Sequence, residues 1–86
     1  MLELIYAPIF VREFKKLEIS LQAEVLEKVE LFKNPLNHQR LKVHKLRGPL
    51  RGCYSFSINY KFRIIFSYSF SNKVNILAIG DHDVYN

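Results

Sequence analysis

Residues 54–68 read Tyr54-Ser55-Phe56-Ser57-Ile58-Asn59-Tyr60-Lys61-Phe62-Arg63-Ile64-Ile65-Phe66-Ser67-Tyr68, and their alternation decides the fold. Tyr54, Phe56 and Ile58 alternate with Ser55, Ser57 and Asn59; Phe62, Ile64, Phe66 and Tyr68 then alternate with Lys61, Arg63, Ile65 and Ser67. A period of two places successive side chains on opposite faces of an extended chain, which predicts two antiparallel strands joined near Asn59-Tyr60. Lys61, Arg63, Ile65 and Ser67 would then share a face. With helices covering the Phe62, Ile64 and Phe66 side, Lys61 and Arg63 are expected on the concave side opposite.

After this pair, Ser71-Asn72 reads as a turn, and the β-branched, largely apolar residues 73–79 read as a central strand. Before it, residues 36–52 lose any period, and Asn37, His38, Gln39, Gly48, Pro49 and Gly52 mark loops and turns. Within that stretch Leu41 and Val43 alternate with Lys42 and His44, predicting a short extended piece.

The N-terminal third is helical in pattern. Phe10, Phe14 and Leu17 fall at i, i+4 and i+7 behind Pro8, which suits a first helical turn. Ser20 reads as the N-cap of a second helix with Leu21, Val25, Val29 and Phe32 in one stripe, and Asn34-Pro35 ends it. Leu2, Leu4 and Tyr6 alternate with Glu3 and Ile5 as a first strand. The expected fold is α+β: residues 1–86 as one domain in the order strand, helix, helix, strand, strand, strand, with both helices on one face of a mainly antiparallel twisted sheet.

Composition bounds the function. A chain of 86 residues that is 49% hydrophobic has the make-up of a packed domain and not of a disordered one. Cys53 is the only cysteine, so no internal disulfide forms. The opening Met1-Leu2-Glu3-Leu4-Ile5-Tyr6 lacks the order of a secretion signal, and no apolar run approaches the roughly 20 residues of a membrane span. A cytoplasmic protein without membrane partners is expected.

Charge is segregated. Residues 1–39 carry five Lys or Arg against six Glu, a net of −1, whereas residues 40–86 carry eight against Asp81 and Asp83, a net of +6. No carboxylate stands between Glu30 and Asp81. Such a window points to a polyanionic partner.

Cleaving RNA through its own 2′-hydroxyl requires a base, an acid and fixed positive charge at one phosphate. Arg63, a planar permanently charged fork on a strand, is the first choice for the charge, though it also suits an ion pair with Asp81 or Asp83. His44 and His82 carry imidazole, whose ordinary titration range lies near neutrality, so either can move protons. Tyr85 suits stacking on a base or steadying charge. Lys42, Lys45, Arg47 and Arg51 read as phosphate contacts, and Lys61 accompanies Arg63. His44, His82, Asp81 and Asp83 lack the paired spacing of a metal motif, no Gly-rich phosphate loop is present, and neither metal nor cofactor is expected.

Lys45-Leu46-Arg47-Gly48, Gly52-Cys53-Tyr54-Ser55-Phe56-Ser57-Ile58, Lys61-Phe62-Arg63-Ile64-Ile65-Phe66 and Ile79-Gly80-Asp81-His82-Asp83-Val84-Tyr85, with the earlier Phe14-Lys15-Lys16-Leu17 and Asn34-Pro35, together resemble the RelE/ParE toxin superfamily over the whole chain. The resemblance implies a type II toxin–antitoxin toxin that cleaves mRNA on the ribosome and is held by a cognate acidic antitoxin. A gyrase-inhibiting member without nuclease activity, or an inactive antitoxin-binding relative, are the alternatives. By motif, Arg63 would bind the phosphate, His82 would be the C-terminal catalytic group, Tyr85 the terminal aromatic, and His44 with Lys45 the cationic pair. Many relatives read Gly-His-Arg where this chain has Gly80-Asp81-His82, and the histidine-rich YafQ-like branch has a His and an Asp where this chain has Ser57 and Lys61.

Overall fold

Alternation in the C-terminal half does produce strands. The computed structural model describes residues 1–81, and the elements follow in chain order: β1 (Glu3–Tyr6), α1 (Pro8–Lys15), α2 (Ile19–Phe32), β2 (His44–Lys45), β3 (Tyr54–Ser57), β4 (Phe62–Tyr68) and β5 (Lys73–Asp81). The strands form a five-stranded sheet in the order β1-β5-β4-β3-β2. β2 to β5 pair antiparallel in sequence, while β1 pairs parallel with β5, so the sheet is mixed and β5 is interior as expected.

Both helices cover one face, because their apolar stripes meet the inward residues of the strands. Phe10, Val25, Val29 and Phe32 pack with Phe56, Ile64, Phe66, Val74, Ile76 and Ile79 in one buried cluster. Phe32 is its hub: its ring lies 4.3 Å from Phe56 and 4.7 Å from Phe66, and His38 stacks on it at 4.6 Å. His38 Nε2 also lies 2.8 Å from the Phe32 carbonyl oxygen, so this histidine is held structurally.

Two boundaries differ from the sequence expectation. α2 begins at Ile19, with Glu18 in the N-cap position at ψ 150° and no side-chain cap, so Ser20 lies inside the helix. The Gln22 amide takes over at this corner, donating to the Phe14 and Leu17 carbonyls at 3.1 Å each and satisfying acceptors left at the end of α1. The extended piece expected from Leu41 is displaced to His44–Lys45. Lys42 has φ +58°, while Lys42 N donates to Gln39 O and Val43 N to His38 O. These are the paired hydrogen bonds of a helix-terminating motif, with lysine where glycine is usual. The sheet thus gains a short fourth strand after the helices, where three were expected.

β4 and β5 slip register between Ile65 and Phe66, where their partners pass from Ala78 to Ile76 and leave Leu77 as the extra residue. Beside this irregularity Glu13 of α1 accepts a 2.9 Å hydrogen bond from the Ile79 amide, tying helix to sheet.

Candidate functional site

Pair register fixes what the face away from the helices carries. Across it runs a row of Ser57, Arg63 and Gly80, next to a row of His44, Ser55, Ile65 and Ala78. Small residues dominate these rows, which leaves room above the sheet for the two long side chains. Ser55 and Ile65 are nevertheless buried, so the face is closed at its centre, while Arg63 is partly exposed.

Arg63 and His44 meet there. Arg63 Nη1 lies 3.5 Å from His44 Nε2, although β3 separates their strands. His44 Nδ1 lies 2.9 Å from the Lys42 carbonyl oxygen. A carbonyl only accepts and a guanidinium only donates. The two contacts fit the tautomer that carries its proton on Nδ1 and turns the Nε2 lone pair toward Arg63. An imidazole oriented by a backbone carbonyl beside a permanent cation is the result.

The other expected residues divide. Lys42 is exposed on the turn that orients His44. Lys45 pairs with Tyr54, a core-side residue, so strand alternation sends it to the helix side, away from Arg63. Lys61 precedes β4 in the turn, and its ammonium lies 5.5 Å from the Phe62 ring centroid rather than beside Arg63. Arg47 and Arg51 are both exposed and flank the short turn Gly48–Leu50. His82 and Tyr85 lie outside the described residues. Among the described residues no group of three or more His, Cys, Asp or Glu side chains is arranged to hold a metal ion, and no helix is long and apolar enough to cross a membrane.

Sequence reasoning missed three residues. A cleft of about 460 Å³ opens between α2 and the β3–β4 turn, and its lining includes Lys28, Arg40 and Tyr60 together with Lys42 and Arg63. Lys28 and Tyr60 are 32 positions apart in sequence, so no local pattern relates them.

No family model matches the chain, and no curated protein matches it in sequence. Solved structures do match. The two-helix, mixed-sheet architecture is similar to that of solved proteins from bacteria and an archaeon. The YoeB-YefM complex from Staphylococcus aureus superposes with a TM-score of 0.73 at 20% identity, covering 95% of this chain and 98% of that one. The archaeal RelE-RelB complex from Pyrococcus horikoshii gives 0.71 at 20% identity, with 93% of each chain covered. A conserved hypothetical protein from Helicobacter pylori gives 0.74 at 19% identity, covering 96% and 97%. The chain has the RelE/ParE-like toxin fold.

Proposed function

We propose that the chain is the toxin of a type II toxin–antitoxin pair and an endoribonuclease that cleaves mRNA on the ribosome. The observation that carries this reading is the contact between Arg63 and His44 at 3.5 Å in a region without carboxylates from residue 31 to residue 80. An RNA phosphate entering there meets a guanidinium fork that matches its oxygens and, beside it, an unprotonated imidazole nitrogen.

The reaction balances without any further group from solution. His44 Nε2 accepts the proton of the 2′-hydroxyl, whose oxygen bonds to the adjacent phosphorus. Arg63 stabilises the added negative charge of the phosphorane, an electrostatic contribution of the kind that removing one donor costs about 10²–10³ in rate. The P–O5′ bond breaks, and the leaving oxygen takes a proton from an acid, for which the sequence offers His82. Products are a 2′,3′-cyclic phosphate and a 5′-hydroxyl. Tyr85 would position the base or the phosphate. The cationic surface of Lys42, Arg47 and Arg51 also suits an acidic antitoxin, whose carboxylates would compete with RNA for the same charges.

Incubating the purified chain with a message, with and without ribosomes, tests the reading. Fragments ending in cyclic phosphate and absent from an Arg63→Ala/His44→Ala preparation are expected. Intact message under both conditions, together with inhibited DNA supercoiling by gyrase, would transfer the assignment to the gyrase-inhibiting alternative.

A further inference from the structure

Beside the Arg63 and His44 pair, the cleft between α2 and the β3–β4 turn combines features that the cleavage reaction does not use. Among the described residues, four cationic side chains line it, Lys28, Arg40, Lys42 and Arg63, and no carboxylate does. Lys28 forms an ion pair with Glu27 at 3.3 Å, but Glu27 is the more exposed partner, its side chain 66% accessible against 25%. At about 460 Å³ the cleft falls in the range of roughly 300–1,000 Å³ that holds a molecule larger than a free phosphate.

Tyr60 stands at its rim, 94% exposed. An aromatic side chain so placed adds nothing to the core. Its backbone is nonetheless well anchored. Asn59 Oδ1 accepts from the Lys61 and Phe62 amides at 2.9 Å each, and Asn59 Nδ2 donates to Glu24 Oε1 of α2 at 3.2 Å. The preceding Ile58 is 2% exposed and inserted in the core. On the opposite wall, Ser57 N donates to Leu41 O at 2.8 Å, which fixes the segment carrying Arg40 and Lys42 against β3. Charge, size and an aromatic platform on a fixed turn coincide.

We propose that this cleft is a nucleotide subsite for the RNA strand flanking the scissile phosphate, with Tyr60 stacking on a base and Arg40 and Lys28 holding backbone phosphate. The inference rests on the nuclease reading in that it shares Arg63 with the site of cleavage. Stacking on an aromatic ring is tolerant of base identity, while each cation adds to the salt dependence of binding.

The test is anisotropy titration of a labelled 2′-O-methyl RNA oligonucleotide, which cannot be cleaved because its attacking oxygen is blocked, with the full chain and with Tyr60→Ala, Tyr60→Phe and Arg40→Ala. All three changes lie outside the core, and circular dichroism checks that the fold is kept. Tyr60→Ala is expected to weaken binding about tenfold, with Tyr60→Phe close to wild type. Arg40→Ala is expected to weaken it and lower the logarithmic salt slope by about one. Wild-type affinity in both alanine variants, or no binding by the wild type, overturns the proposal. Cleavage of unmodified message is measured in parallel. Cleavage intact with binding unaffected by the variants defeats the subsite alone, whereas variant-sensitive binding without any wild-type cleavage defeats the nuclease reading alone.

Discussion

Arg63 Nη1 and His44 Nε2 stand 3.5 Å apart across the intervening strand β3, and the Lys42 carbonyl holds the other imidazole nitrogen at 2.9 Å. Their nearness is a product of the sheet. His44 pairs with Ser55 and Arg63 with Ser57, so two residues along β3, one side-chain repeat on that face, separate the two rows.

If this pair works as a unit, its losses are not additive. Single-turnover cleavage is expected to fall about 10²–10³-fold in Arg63→Ala and about 10²–10⁴-fold in His44→Ala. The double variant should be little worse than the poorer single. Arg63→Lys should not restore the rate, because an ammonium lacks the planar fork. Lys45→Ala, on the helix side of β2, should retain the rate within about tenfold. A double-variant loss equal to the product of the two singles would show that the groups act independently.

Lys42 offers a test of stability against binding. Its φ of +58° is one that an L side chain adopts at a cost of about 1–2 kcal/mol, while glycine brings an entropic penalty of roughly 0.5–1 kcal/mol. Lys42→Gly is therefore expected to raise unfolding free energy by about 0.5–1 kcal/mol in urea titration. The same variant should bind RNA less tightly, with a salt slope smaller by about one. Lower stability would mean that the lysine side chain contributes to the fold more than the turn geometry indicates.

Phe32 is wholly buried and touches Phe56, Phe66 and His38. Phe32→Ala should cost about 3–5 kcal/mol through lost transfer energy and the cavity left behind. Stability of a domain is only about 5–15 kcal/mol, so the urea midpoint should collapse. A shift below about 1 kcal/mol would mean that the core closes over the gap far better than such sites usually do.

The Tyr68 phenol is held above its ordinary value of 10.0, first by burial and second by Tyr54, whose ring centroid is 4.9 Å away. A folded value above the unfolded one means that the folded chain holds this proton more tightly. Its contribution to stability is complete below about pH 10 and is lost as pH rises through the folded value. Tyr68→Phe has no such proton to lose, so denaturant midpoints at about pH 8 and pH 11 should differ less in the variant than in the wild type. Equal losses in both proteins would remove Tyr68 from the account.

β3 and β4 were legible because they alternate apolar with polar side chains, β5 because residues 73–79 form a largely apolar β-branched run, and the helices because Phe10, Phe14, Val25, Val29 and Phe32 recur at helical spacing. The start of β2 was not, since nothing in Leu41-Lys42-Val43-His44 announces that a lysine turns left-handed. The place of Arg63 on the face away from the helices was legible from its strand parity alone. Its partnership with His44 emerged only from the register of three strands. Lys61 was misplaced for a related reason: parity put it beside Arg63, but β4 starts one residue later and the turn carries Lys61 toward Phe62. Glu13 and the Ile79 amide lie 66 positions apart, beyond any local pattern. The cleft of Lys28, Arg40 and Tyr60 is likewise a consequence of tertiary folding.

The central claim is that Arg63 and His44 form a phosphate-cleaving site, and primer extension on mRNA from cells briefly expressing the chain tests it with ribosomes present. The wild type should produce new in-frame cuts that an Arg63→Ala/His44→Ala variant, expressed to the same level, does not make. Identical cuts from the variant, or growth arrest by the wild type with message intact, would contradict it.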